Sequence, residues 1–127
     1  MDKSENRKKG IKGEALAINY LQKKGFKIIE TNFSTRFGEI DIIAADNETL
    51  VFVEAKLKVG DRFGTPEEMI TKRKISQVLK MAELYLLKNK ELSGKYQKQR
   101  IDAVCIVLDE KKLTRRINHY ENLEINA

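Results

Sequence analysis

Gly38-Glu39-Ile40-Asp41-Ile42-Ile43-Ala44-Ala45-Asp46-Asn47-Glu48-Thr49-Leu50-Val51-Phe52-Val53-Glu54-Ala55-Lys56-Leu57-Lys58 reads as two strands and the turn between them. Glu39–Ala45 is the first strand, Asp46-Asn47-Glu48 carries a hairpin signal, and Thr49–Lys58 is the second strand. Val51-Phe52-Val53 is apolar at consecutive positions, the mark of a strand buried on both faces. Glu54 and Lys56 follow directly and, being two residues apart, emerge on one face of the sheet. Asp41 repeats the anomaly in the neighbouring strand, where Ile40, Ile42 and Ile43 flank it. Charges at the end of an interior strand are costly to desolvate unless something pairs with them.

Neighbouring strands lie about 4.8 Å apart, so a hairpin register that pairs these ends brings Asp41 and Glu54 to one point. Two convergent carboxylates repel unless a proton or a cation lies between them. Mg2+ (or Mn2+) resolves that conflict, because such an ion takes oxygen ligands at about 2.0–2.1 Å and keeps several waters. The backbone carbonyl of Ala55 offers one more oxygen, and Lys56 sits where it can serve an attacking water and a phosphate. The alternative is a buried Lys–Glu pair or polar residues that merely mark a strand end.

Outward from this hairpin, Ile11–Lys24 reads as a helix that stops at Gly25. Its apolar arc is Ile11, Ala15, Ala17, Ile18 and Leu21, with Glu14 in the middle, aimed at the sheet. Capping or snorkelling at a helix N-terminus explains a glutamate there equally well. Phe26–Phe33 is a strand, followed by a turn at Ser34 and Thr35. Beyond a loop over Val59–Thr65, Pro66 opens a long helix reaching Lys90. Ile75, Val78, Leu79, Ala82, Tyr85 and Leu86 form its apolar face. Arg100–Leu108 and Leu113–Tyr120 are two further strands.

The expected fold class is α/β, in the order α-β-β-β-α-β-β. Meander strands run antiparallel, and the helical crossover returns a parallel strand, which gives a mixed sheet flanked by helices. Residues 1–127 read as one domain whose first nine form a flexible basic start.

The chain has 127 residues, 41% hydrophobic and 35% charged, which describes a globular domain with a highly charged surface. Its 25 Lys+Arg against 19 Asp+Glu give a net charge of +6, which suits a polyanion such as nucleic acid but also an ordinary lysine-rich protein. The single cysteine, Cys105, excludes an internal disulfide or a Cys-based zinc site and sits in the apolar run Ala103–Val107. There is no apolar leader and no run long enough to span a membrane, so a cytoplasmic location is expected. His119 is the only histidine and reads as structural, and the four tyrosines are too scattered to form a stacking platform.

Taken together, Gly13-Glu14-x-x-Ala17 through Leu21 and Gly25, then Gly38-Glu39-Ile40-Asp41, then Val51-Phe52-Val53-Glu54-Ala55-Lys56 resembles the YraN-like family. That group lies within the PD-(D/E)xK nuclease superfamily and is akin to archaeal Holliday junction resolvases. The likeness continues through Lys74, Ala82, Arg100-Ile101-Asp102-Ala103-Val104 and Ile117-Asn118-His119-Tyr120-Glu121-Asn122. It implies a restriction-endonuclease-like core in which Asp41 and Glu54 bind metal, Lys56 is the superfamily lysine and Glu14 completes a resolvase-type site. Lys58 stands where the family usually has arginine and lacks its bidentate fork.

The expected function is therefore metal-dependent DNA endonuclease activity, with branched DNA as an attractive substrate by analogy. Arg36, Lys58, Arg62, Lys72, Arg73 and Lys74 are candidates for phosphate contacts. Cutting two strands symmetrically would require a homodimer. Two other readings stay open: a non-cleaving nucleic-acid-binding module, and a partner-binding adaptor that retains the acidic residues.

Overall fold

The computed structural model describes residues 3–60 and 62–124, with side chains from Arg7 onward. The elements are α1 (Lys3–Lys23), β1 (Lys27–Thr35), β2 (Gly38–Asp46), β3 (Thr49–Val59), a 3-10 turn (Pro66–Met69), α2 (Lys72–Lys88), α3 (Lys90–Lys95), β4 (Lys98–Leu108) and β5 (Thr114–Tyr120). The strands form one sheet in the order β1-β2-β3-β4-β5. Only β3 and β4 are parallel, because α2 and α3 form the crossover between them. This is the mixed, helix-flanked sheet that the sequence leads one to expect, and it is consistent with a nuclease-like core.

Each face of the sheet carries its own core. Ala17 and Leu21 of α1 pack with Phe26, Ile42, Val51, Val53, Val104 and Ile106 on one side. Val78, Met81, Ala82 and Tyr85 of α2 pack with Ile40, Ile43, Leu50 and Phe52 on the other. Alternating side chains of β2 and β3 thus feed both layers, as their near-continuous apolar runs require. Gly25, at φ 100°, ends α1 in the left-handed region, and the Phe26 amide closes back onto the Leu21 carbonyl at 2.9 Å.

Three local expectations are corrected. Helix α1 begins at Lys3 rather than Ile11; its first turns are rich in Lys, Glu and Arg, which favour helix, but their sequence has no apolar residue from which a helical period could be read. The long helix does not start at Pro66. Thr65 caps the 3-10 turn, Ile70 leaves helical geometry, and Thr71 accepts a bond from the Lys74 amide at 3.1 Å and starts α2 afresh. Finally, Leu79 and Ile11 are exposed and Met81 fills the core, so the apolar faces are rotated from those expected.

Helix α1 lies very close to β3. A Cβ on Gly13 would come within 2.9 Å of the Leu57 Cβ, so only glycine allows this approach. Gly13→Val should therefore destabilise the fold by about 1–3 kcal/mol through overpacking and lift Glu14 off the sheet edge. Urea unfolding checks this; an unchanged midpoint would refute the close packing.

Candidate active site

The β2–β3 ladder runs from Asp46–Thr49 to Ile42–Val53. At the next residue Asp41 bridges the two strands differently: its Oδ2 accepts a hydrogen bond from the Ala55 amide at 2.9 Å. Ala55 thus joins the site through its N–H, and Asp41 is held at the mouth of the hairpin by a strand it does not belong to.

Glu54 lies beside it, 3% exposed. Its Oε1 is 3.2 Å from Lys56 Nζ and 3.6 Å from Lys74 Nζ. Its Oε2 is buried with no hydrogen-bond partner. A buried carboxylate oxygen left unsatisfied is costly and calls for an explanation. Burial, and then the charge of Asp41, push the Glu54 carboxyl up to about 7 against the pull of Lys56 and Lys74. Burial likewise raises Asp41, although the Ala55 amide and Lys56 oppose the shift. Two acids held against their own ionisation, one with a vacant oxygen, present the donor set that a hard cation would satisfy.

Glu14 reaches the same edge from α1. Burial and the Asp41 charge raise its carboxyl, while Asn32 Nδ2 donates to its Oε1 at 2.7 Å and opposes the rise. Asn32 has φ 54°, an uncommon conformation for a non-glycine residue, and sequence reasoning gave no hint of it. Among the described residues the oxygens of Glu14, Asp41 and Glu54 do not all lie within 4.8 Å of one another, although Asp41 acts electrostatically on both glutamates.

Raised acids have a signature in stability. Glu54 binds its proton more tightly folded (about 7) than unfolded (4.5), so its contribution is full below 4.5 and is lost as pH rises through 7. The loss should be on the order of 3 kcal/mol, and Glu54→Gln should remove most of that slope. Glu67 behaves oppositely: bidentate Arg116 and the Tyr120 hydroxyl hold it at about 2, so its stabilisation disappears only in strong acid. Urea titrations between pH 5 and 8 separate the two, since only the Glu54 effect falls in that window.

Several basic residues lie at this end of the sheet. Lys74 contacts Glu54, and Arg73 lines an adjoining hollow with Lys74 and Gln77. Lys56 and Lys58 line a cleft of about 320 Å³ together with Gly13 and Ala55. A second cleft continues from Leu57 and Val59 to Lys8, Lys12 and Lys112, a set the sequence did not single out. Arg36 and Arg62 lie on loops at the same end of the sheet, and Lys72 is exposed at the start of α2.

A second charged cluster was not foreseen. Asp102, fully buried on β4, accepts from Arg100 Nε at 3.0 Å and the Asn122 amide at 3.0 Å, and its Oδ2 is 2.8 Å from His119 Nε2. Arg100 also reaches Asp46 at 3.1 Å, and Lys24 Nζ bonds both Glu121 at 3.2 Å and His119 Nδ1 at 3.1 Å. An ammonium can only donate, so His119 accepts at Nδ1 and turns its Nε2 proton to Asp102. Among the described residues Asp102, His119 and Glu121 are the group of three that could hold a metal ion. Here Arg100 and Lys24 already supply the positive charge, so the cluster reads first as an ion-pair network tying β2, β4 and β5 to the turn that follows α1. The His119 ring packs edge-on to Tyr20 and Phe26.

Fold and site together define a mixed α/β protein, consistent with a nuclease-like core, with a carboxylate pair flanked by lysines. The model of the uncharacterised protein family UPF0102, the YraN family, matches residues 13–106, and the chain belongs to that family. A UPF0102 protein of Syntrophomonas wolfei is 44% identical over 117 residues, 92% of this chain and 97% of its own length. Another from Alkaliphilus oremlandii is 43% identical over the same coverage, and one from Persephonella marina is 46% identical over 78% of this chain and 83% of its own. No helix of the described residues is long and apolar enough to cross a membrane.

Proposed function

We propose that this chain is a metal-dependent DNA endonuclease that hydrolyses phosphodiester bonds, with branched or otherwise structured DNA as its substrate. The observation that carries this reading is the buried, partnerless Glu54 Oε2 beside Asp41, with Lys56 against the other oxygen. Asp41 and Glu54 would hold Mg2+ or Mn2+, with Glu14 adding its charge from the same edge. Such an ion supplies a Lewis acid for the scissile phosphate and lowers the pKa of an attacking water.

The chain's own groups do the rest. Lys56 donates to the phosphate and offsets the negative charge that grows in the transition state. Lys74 keeps Glu54 oriented and limits its repulsion with Asp41. The lysines of the two clefts, with Arg73 and Lys58, hold the backbone on either side by charge, without reading bases. Two copies of the chain would place one site on each strand of a junction.

The test is cleavage of linear, flapped and four-way DNA in Mg2+ or Mn2+, with Lys56→Ala alongside. Wild-type protein should nick and the variant should lose about 10²–10³-fold in rate. Metal binding with no nicking on any substrate would replace this reading with a non-cleaving binding module. No affinity for DNA even at low salt would leave a partner-binding adaptor.

A further inference from the structure

The tripeptide Arg-Phe-Gly occurs twice, at Arg36-Phe37-Gly38 and Arg62-Phe63-Gly64. The first sits in the turn from β1 to β2, the second in the loop that leaves β3. Strands β2 and β3 are antiparallel, so the start of one and the end of the other lie at the same end of the sheet, where Asp41 and Glu54 are. The two copies are also built alike. Each glycine has a positive φ, 145° at Gly38 and 100° at Gly64, and each lies against a polar side chain that would meet an added Cβ at 2.6 Å, Gln77 and Glu68 respectively. In each, the arginine lies over the adjacent phenylalanine ring, at 4.9 Å for Arg36 and 5.7 Å for Arg62.

Both rings face solvent: Phe37 is 49% exposed and Phe63 85%. Burial in the core explains neither. The first tip is wired to the acidic pair, since Gln77 Nε2 donates to the Phe37 carbonyl and Gln77 Oε1 accepts from Lys74, the residue that contacts Glu54. Lys80 adds a second cation near the Phe37 ring at 5.4 Å. Exposed aromatic faces ringed by guanidinium and ammonium groups match the two parts of an unpaired nucleotide: a flat base to stack and a phosphate to neutralise. A purely apolar protein partner would leave those cations without counter-charges.

We propose that the two Arg-Phe-Gly tips are stacking platforms for unpaired bases of single-stranded or branched DNA, with Arg36 and Arg62 turning to the adjoining phosphates. This rests on the nuclease reading and names the feature by which that site would select its substrate. In paired B-form DNA the bases are already stacked on one another, so the tips add affinity only where bases are free or easily unstacked.

The chain contains no tryptophan, so Phe37→Trp and Phe63→Trp each introduce a single reporter that keeps an aromatic ring. Their emission should be quenched by an oligothymidylate and by a four-way junction, and hardly changed by linear duplex. Phe37→Leu and Phe63→Leu should each weaken binding to single strands and junctions by about ten-fold, with duplex affinity and thermal stability unchanged. Bound DNA with unquenched reporters, or leucine variants that bind every form like the wild type, would overturn this proposal while leaving nuclease activity standing. A change in sedimentation without a change in DNA affinity would mark the tips as a self-contact and overturn it too. Failure of the wild-type chain to bind any DNA would overturn both readings.

Discussion

Asp41→Ala and Glu54→Ala are each expected to abolish metal-dependent cleavage while the protein stays folded. Under the proposed mechanism both carboxylates serve the ion, so losing either removes more than one hydrogen bond to the transition state would. A loss well beyond the roughly 10²–10³-fold given by a single preorganised donor is expected. The fold should tolerate both changes, for different reasons. Asp41 gives up one bond to the Ala55 amide. Glu54→Ala removes a buried acid that burial and Asp41 already penalise, and leaves Lys56 and Lys74 at a rim where each remains about a quarter exposed. Glu54→Ala should therefore be no less stable than wild type above pH 7 without metal. Added Mg2+ should raise the wild-type melting temperature as free ligand exceeds its dissociation constant, and leave both variants unmoved. Nicking by both alanine variants at the wild-type rate would end the metal-site proposal.

The largest effect on stability is expected elsewhere, at Asp102→Ala. This carboxylate is fully buried and answers Arg100, His119 and the Asn122 amide together. Its removal takes both Asp102 hydrogen bonds from the Arg100 guanidinium and leaves the His119 Nε2 proton without its acceptor, and breaking a buried pair of this kind typically costs about 3–5 kcal/mol. Against a domain stability of about 5–15 kcal/mol, that should lower the melting temperature by roughly 10–20 °C. Because the network supplies its own cations, a chelator should leave the size of this effect unchanged. Thermal unfolding of wild type and variant, with and without EDTA, reads both points. A loss below about 1 kcal/mol would show that Arg100 finds sufficient compensation in Asp46 and Glu121.

Much of the arrangement was legible because its signals are local. Alternation and continuity of apolar residues locate β2 and β3, and charges inside such runs expose Asp41, Glu54 and Lys56 without any knowledge of tertiary contacts. Gly25 ends α1 by its own backbone freedom. The broken helix was less legible, because Pro66 and Thr71 are both good starting points and only the packing of the intervening turn decides between them. Asn32 was invisible, since its role depends on a left-handed backbone and on the approach of a helix from another part of the chain.

What the sequence alone determined is the order of elements, the two-faced burial of the hairpin and the presence of acids where acids are costly. Those follow from spacing along one strand or one helix. The tertiary structure decided which charges meet: Lys74 of α2 on Glu54 of β3, Asn32 of β1 on Glu14 of α1, and Arg100 and His119 on Asp102. Contacts of that kind depend on strand register and helix placement, which the whole core sets at once. No window of sequence contains them.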